Sequence, residues 1–362
     1  MKKKILVLAI SIFSFFLIGI VGAVCFYNHS LNTSSMSEKA GDEKVKIIVA
    51  KGMTSKNVID LLYDSGLIDN KTVGYVYLKL NKGIVVQAGE YEVNRSMTLP
   101  EILAYISSGN VIDNSISVTF IEGKRITTYV KQISEKFGYT EDEIMNKLSD
   151  KEFLEDLIEK YWFLTDDILN DKLYYALEGY LYPSTYQFSQ DASIEDIIGK
   201  MLDAMGNVLG TYKEQIENNE TSIHEVLTMA SIVELEGANS NDRKGVAGVF
   251  YNRLHSGWSL GSDVTTYYAA KVEMSERDLY QYEIDEVNDY NTRPAAMAGK
   301  LPIGPICSPS LNSIKSSLEP EEHDYYFFVA DKNKKTYFTK TNTEHQEIIN
   351  KLKSEGLWYI YN

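Results

Sequence analysis

The chain has 362 residues, of which 44% are hydrophobic, and this is enough to bury at least one large core. Its 51 acidic residues outnumber its 36 basic residues and give a formal net charge of −15, so its surface repels nucleic acid and anionic lipid headgroups. The two cysteines, Cys25 and Cys307, lie in an apolar segment and in a loop-like stretch, so no disulfide framework is predicted.

The first residues have the pattern of a membrane anchor. Residues 5–27 contain no charged side chain and are long enough to cross a bilayer, and the lysines within residues 1–4 favour a short cytoplasmic tail. A signal peptide cleaved near residues 21–23 is the alternative, but its apolar core of roughly 7–15 residues would be shorter than this segment. We therefore expect a single-pass cell-membrane protein whose body lies outside the cytoplasm.

A polar segment separates the anchor from the first folded module. Residues 28–44 are small, polar and without periodicity, which predicts a flexible tether. A small module is expected over residues 45–110, in the order strand, helix, helix, strand, helix, at 45–50, 55–64, 71–80, 89–93 and 99–106. This order resembles a LysM-type module of the kind that binds cell-wall glycans. A small α+β spacer is the alternative, and the residues of this module by themselves favour the spacer.

A larger mixed domain is expected over residues 111–362, so the fold class predicted for the chain is α+β. It opens with a strand at 115–123. The predicted helices follow at 127–136, 141–147, 152–160, 194–207, 223–236 and 243–257. Loops are predicted over 258–310, then a strand pair within 325–339 and a last helix at 343–354.

The predicted helix that contains two closely spaced glutamates has local signals at both ends. Ser222, followed three residues later by Glu225, has the form of a capping box, and Gly237 is a natural stop. At about 100° per residue, Glu234 returns to within about 20° of the apolar stripe that begins at Ile223. We therefore expect Glu234 on the buried face of this helix.

The second glutamate of this helix, Glu236, falls on the opposite side, where we expect it to face solvent or to brace the site. Glu234 is then the unusual residue, because a desolvated carboxyl group holds its proton towards neutral pH, as a general acid must. The alternative is a structural glutamate that is neutralised by Arg243 or Arg253, which are both close in sequence.

The sequence lacks the motifs of several other catalytic classes. Its five histidines and two cysteines have no metal-ligand spacing. It contains no P-loop, no dinucleotide-binding glycine motif, no G-x-S-x-G and no S-x-x-K. No metal or other cofactor is predicted, and carboxylate chemistry on a glycan is what remains for an extracytoplasmic chain.

Several segments, in their order along the chain, resemble one known family. They are EGYLYPSTYQF at 178–188, MASIVELEG at 229–237, GVFYNRL at 248–254, LGSDVTTYYA at 260–269 and DYNTRPA at 289–295. Over nearly its whole length beyond the tether, the sequence is similar to the MltG (YceG-like) endolytic murein transglycosylases.

The resemblance implies a reaction and a catalytic residue. The expected reaction is cleavage of the MurNAc–GlcNAc bond within peptidoglycan strands, which leaves 1,6-anhydro-MurNAc ends and terminates or trims nascent strands. By its position in the motif, Glu234 is the implied acid, which then acts as base towards the C6 hydroxyl of muramic acid. Glu234 and Glu236 point in divergent directions on a helix, so they are not expected to flank one bond as the two carboxylates of a hydrolase do.

The resemblance also implies substrate-binding residues. They are Glu178, Tyr182, Asp263, Tyr290, Asn291 and Thr292. His345 matches the family as well, but we read it as a surface or capping residue. Gly261, Val264, Arg293 and Ile303 depart from residues common in the family, which leaves the substrate preference open.

The expected partners are peptidoglycan strands, the membrane through the N-terminal helix, and cell-wall synthesis enzymes, but no nucleic acid. Two other functions stay open at this point. One is a catalytically silent, membrane-anchored glycan-binding or scaffold protein, and the other is a hydrolase of the same bond.

Overall fold

A computed structural model describes residues 2–33, 43–109, 115–218 and 221–358, with side chains from residue 10 onward. The chain divides into two units, Met1–Asn114 and Ser115–Asn362, and both helices and strands occur in each. The predicted α+β class is confirmed.

The N-terminal helix α1 spans Lys2–Asn32. From Ile10 to Asn32 it has a mean hydropathy of 2.3 and none of the assessed window is buried, so by length and composition it can cross a membrane. It continues beyond residue 27, so the first residues of the predicted tether are helical. The remainder of that tether, residues 34–42, lies outside the described residues.

The rest of the first unit has the predicted order of elements. They are β1 (Lys44–Val49), α2 (Ser55–Asp64), α3 (Lys71–Leu80), β2 (Gly89–Asn94) and α4 (Leu99–Ser107). The two strands pair antiparallel, and alternate residues such as Ile47 and its partner Tyr91 are buried, as expected for a strand pair with one covered face. Binding of glycan by this module stays a prediction.

The second unit is mainly helical. Its helices are α5 (Ile126–Phe137), α6 (Glu141–Leu148), α7 (Lys151–Lys160), α8 (Ile194–Gly210), α9 (Lys213–Asn218), α10 (Ile223–Glu236), α11 (Arg243–His255), α12 (Asp263–Ala269), α13 (Gln281–Asp285), α14 (Leu311–Leu318) and α15 (Asn342–Ser354). Its strands pair antiparallel as β3 (Ile116–Thr119) with β4 (Thr185–Phe188), and β5 (Phe327–Ala330) with β6 (Thr336–Thr339). The region 258–310, predicted as loops, contains α12 and α13, which are too short to produce a periodic pattern.

Helix α10 lies in the interior of the second unit. Its predicted capping box is confirmed, because the Ser222 hydroxyl accepts from the Glu225 amide at 3.2 Å and the Glu225 carboxylate accepts from the Ser222 amide at 2.8 Å. Every residue from Val226 to Glu234 is buried, so this part of the helix is covered on all sides by neighbours that include α11 and α14. A helix of this kind has no solvent face against which to orient its side chains.

Helix α1 leads to a prediction about membrane association. We expect the full-length chain to remain in the membrane pellet after an alkaline carbonate wash, because its apolar helix is long enough to span the bilayer. A matched variant that lacks residues 2–32 should be recovered in the supernatant. Recovery of the full-length gene product as a soluble chain, shortened by about 23 residues as after signal-peptide cleavage, would contradict this prediction.

Candidate active site

A cleft of about 800 Å³ opens in the second unit, a volume in the range of ligand-binding sites. Its walls include the end of α10, part of α11, the start of α12 and the β5–β6 hairpin. Its polar lining includes Glu236, Arg253, Ser262, Asp263, Arg293 and His345, and its aromatic lining includes Tyr267, Phe328 and Trp358. Hydrogen-bonding groups beside aromatic rings suit a sugar chain.

Glu236, the last residue of α10, lines this cleft and is partly buried. The Ser262 hydroxyl donates to its Oε1 atom at 2.6 Å. Burial raises the pKa of Glu236 above its ordinary value, the Ser262 hydrogen bond opposes this, and Asp263 raises it further. Glu236 is predicted to face solvent or to brace the site; it is partly buried at the cleft, because the segment before α12 covers the end of α10.

Glu234 is placed differently, with a side chain that is only 4% exposed. Arg243 Nη2 lies 2.6 Å from its Oε1 atom. Its Oε2 atom accepts from the Ser310 amide at 2.9 Å, from the Ser310 hydroxyl at 2.6 Å and from the Ser313 hydroxyl at 2.7 Å. Glu234 is not among the described residues that line the cleft. The structural ion pair considered as the alternative above is therefore formed, with Arg243.

Asp263 is the first residue of α12 and lies at the cleft. Its Oδ1 atom accepts from the guanidinium of Arg293, through Nε, and forms an ion pair with Nη2. Both side chains are partly exposed, so a ligand in the cleft can reach the pair.

The three residues 290–292 are in the interior. Tyr290 is 1% exposed, and Asn291 and Thr292 are fully buried. The side-chain amide of Asn291 donates to three backbone carbonyls. The Thr292 carbonyl accepts from the backbone amide of Gly261 at 3.1 Å, and the Thr292 hydroxyl accepts from the backbone amide of Ser262 at 3.2 Å. Since these side chains present almost no surface, their placement favours a role in holding Ser262 against Glu236 over direct contact with a sugar.

Glu178 is 1% exposed and is not among the described residues of the cleft. Its Oε1 atom accepts from the Ile126 amide at 2.9 Å and its Oε2 atom from the Tyr268 hydroxyl at 3.1 Å. Burial raises the pKa of Glu178 to about 8, and the hydrogen bonds oppose this rise. Tyr182 is partly buried against the core of the second unit. Substrate contact by these two residues stays a prediction.

Sequence reasoning missed four residues of the cleft. Ser262 and Arg253 lie in segments that resemble the family, but such a segment does not show which groups its side chains contact in the fold. His345 lines the cleft with its ring stacked on Phe327 at a centroid distance of 5.4 Å, rather than lying at the surface. Trp358 had no signal in the sequence.

Comparison with known proteins gives the family. The sequence profile described as the YceG-like family matches residues 47–351. The chain belongs to the YceG-like family.

Individual relatives agree with this YceG-like assignment. The endolytic murein transglycosylase of Bacillus subtilis is 33% identical over 331 residues, which cover 91% of this chain and 89% of that protein. The endolytic murein transglycosylase of Streptococcus pneumoniae is 28% identical over 340 residues, and the match covers 89% of this chain but only 61% of that protein. A crystal structure of a yceG-like protein from Listeria monocytogenes matches with a TM-score of 0.60 at 30% identity, over 85% of this chain and 99% of that chain.

The buried Glu178 of this YceG-like chain predicts a pH dependence of its stability. In the folded state the pKa of Glu178 is about 8, whereas its ordinary value is 4.5. Between these two pH values the folded chain keeps the Glu178 proton that the unfolded chain has released. The free energy of unfolding should therefore fall as the pH rises through this window, by up to about 1.4 kcal/mol per pH unit. Glu178→Gln removes this contribution, so its stability relative to the wild type should increase with pH in urea titrations. Parallel pH profiles would contradict this result, and Glu276→Gln, at an exposed position, is the control.

Proposed function

We propose that this chain is a membrane-anchored endolytic murein transglycosylase. It cleaves the MurNAc–GlcNAc bond within a glycan strand and leaves a 1,6-anhydro-MurNAc end, which terminates or trims the strand. The observation that carries the proposal is Glu236, a carboxyl group of raised pKa in a cleft of about 800 Å³. The reaction class is supported by the family and by the relatives named as endolytic murein transglycosylases.

We assign the acid–base role to Glu236 rather than to Glu234. An acid must reach the glycosidic oxygen, and Glu236 lines the cleft whereas Glu234 is held by Arg243, Ser310 and Ser313. The raised pKa of Glu236 favours its protonated form, which is the form that a general acid requires. The hypothesis for Glu234 rested on its buried face and on its position in the family motif. We depart from it because the buried carboxylate of Glu234 is held in an ion pair with Arg243.

In the proposed reaction one carboxyl group, that of Glu236, acts first as an acid and then as a base. Protonated Glu236 donates its proton to the glycosidic oxygen, so the bond from this oxygen to C1 of MurNAc breaks and GlcNAc leaves with a free 4-hydroxyl. The Glu236 carboxylate then takes the proton of the MurNAc C6 hydroxyl as O6 bonds to C1. No water enters, and Glu236 is again protonated.

The contacts of Asp263 favour this route over hydrolysis. A hydrolase generally needs a second carboxylate as nucleophile or base. Asp263 is the carboxylate that raises the pKa of Glu236, but it is already engaged by the Arg293 guanidinium. We therefore assign Asp263 and Arg293 to substrate binding and to tuning Glu236.

The location follows from the substrate. We infer a single-pass cell-membrane protein with the second unit outside the cytoplasm, because α1 can span a membrane, lysines precede its apolar stretch, and peptidoglycan lies on the outer side. Cell-wall synthesis enzymes remain predicted partners.

Paired variants of the two glutamates test the proposal. Glu236→Gln keeps the shape of the side chain and removes its proton, so cleavage of purified strands should fall by roughly 10²–10⁴-fold. Its melting temperature should hold or rise, because the variant no longer buries a titratable carboxyl group. Product masses give the chemistry, since an anhydro-muramyl end is lighter by one water than a hydrolytic end.

Glu234→Gln is the matched control within the same helix. It leaves Arg243 without its counter-charge, so we expect a lower melting temperature, with a loss of up to about 3–5 kcal/mol, while the folded fraction keeps most of its activity. The opposite pattern, an active Glu236→Gln and an inactive but stable Glu234→Gln, would restore the hypothesis from the sequence. Strand binding without cleavage by the wild type would indicate the scaffold function instead.

A further inference from the structure

Arg253 on α11 occupies an unusual position in the cleft. Its Nε atom donates to the Tyr326 carbonyl at 2.8 Å, and its Nη1 atom donates to the Leu260 carbonyl. Its guanidinium also lies 5.5 Å from the centroid of the Phe327 ring. These contacts fix the guanidinium beside Glu236, and both residues line the cleft.

The third nitrogen of this guanidinium, Nη2, has no hydrogen-bond acceptor among the described residues, and no described carboxylate lies within 4.0 Å of Arg253. The other five arginines of the chain each have a carboxylate within 3.3 Å. An unpaired guanidinium is notable in a chain with a net charge of −15. Arg253 is partly buried, and burial of a cation without a counter-ion is unfavourable unless a ligand supplies one.

The charged groups around Arg253 do not supply this counter-ion in the acid-ready state. Glu236 interacts favourably with Arg253 only when it is ionised, and the acid step needs it protonated. Asp263 is engaged by Arg293. The carboxylate of Asp331 accepts backbone hydrogen bonds within its own turn.

The remaining charged or titratable groups of the cleft do not provide a counter-ion for Arg253 either. Asp278 and Lys334 have exposed side chains at the rim, and His345 is partly buried with a pKa that burial and Arg253 lower, so it adds no positive charge at neutral pH. Protonation of Glu236 therefore leaves one partly buried positive charge, that of Arg253, facing the cleft without a carboxylate partner.

We propose that Arg253 binds a carboxylate on the muramyl side arm of the glycan through Nη2, and so selects the muramyl sugar over GlcNAc beside Glu236. Muramic acid carries a lactyl group whose carboxylate is free in naked strands and is amide-linked when a stem peptide is present, in which case the peptide supplies carboxylates. GlcNAc carries none. The inference rests on the proposed function and adds a residue that determines which of the two alternating bonds is positioned for cleavage.

Three preparations of glycan strands test the inference. They are naked strands from amidase digestion, the same strands after carbodiimide amidation of the lactyl carboxylate, and peptide-bearing strands. Binding is measured in the Glu236→Gln background so that strands stay intact, and cleavage is measured with active protein. A protein that fails to cleave any strand would contradict the proposed function, whereas the binding comparison still decides the role of Arg253.

We expect naked strands to bind about 10–100-fold more tightly than amidated strands, as a charge-assisted hydrogen bond allows. Arg253→Met should abolish this preference, and Arg253→Lys, which keeps the charge but not the fork, should retain part of it. Arg277→Met is the matched control, because that guanidinium is paired with Glu283 and Arg277 is not among the described residues that line the cleft, so this variant should keep the preference.

The outcomes separate the possible sources of the carboxylate. A preference for naked over amidated strands assigns the lactyl group, and a preference for peptide-bearing strands alone assigns the stem peptide. Equal binding of all three strands by protein with Arg253 intact overturns the proposal, even if Arg253→Met does not fold. Loss of the preference in Arg277→Met but not in Arg253→Met also overturns it.

Discussion

The carboxylate of Glu234 connects three helices of the second unit. It lies on α10, pairs with Arg243 at the start of α11, and accepts hydrogen bonds from Ser310 and Ser313 at the start of α14. A buried ion pair is stable only when further hydrogen bonds replace the lost water, and the two serines provide them. The position of α10, and with it the position of the cleft at its C-terminal end, depends on this network.

The two glutamates of α10 show how environment divides roles between identical side chains. Two residues apart on a helix, they point about 200° apart, so fixing Glu234 in the interior also fixes the direction of Glu236. Glu234 meets a guanidinium and hydroxyl groups, and Glu236 meets one hydroxyl group and a cleft. One carboxylate stabilises the fold, and the other is available for chemistry.

Much of the fold could be predicted from local sequence. The capping box at Ser222 and the strand–helix–helix–strand order of the first unit follow from short-range signals, and both are present. The facing of Glu236 could not be predicted, because a periodicity argument needs a solvent side and α10 is covered on all sides from Val226 to Glu234. A sequence also does not reveal that the side-chain amide of Asn291 donates its hydrogen bonds to backbone carbonyls, since those partners are set by tertiary packing.

The cleft is assembled from distant parts of the chain, with Glu236 and Asp263 on one side and the β5–β6 hairpin and Trp358 among the other lining groups. A strand pair of four residues each is a small cooperative unit, and such units open locally at lower free energy than the whole domain. A ligand that contacts both sides of the cleft is favoured by the paired form of the hairpin. Ligand binding and local opening of the hairpin are then competing equilibria, so a bound ligand protects both the hairpin and the C-terminal helix that packs on it from proteolysis.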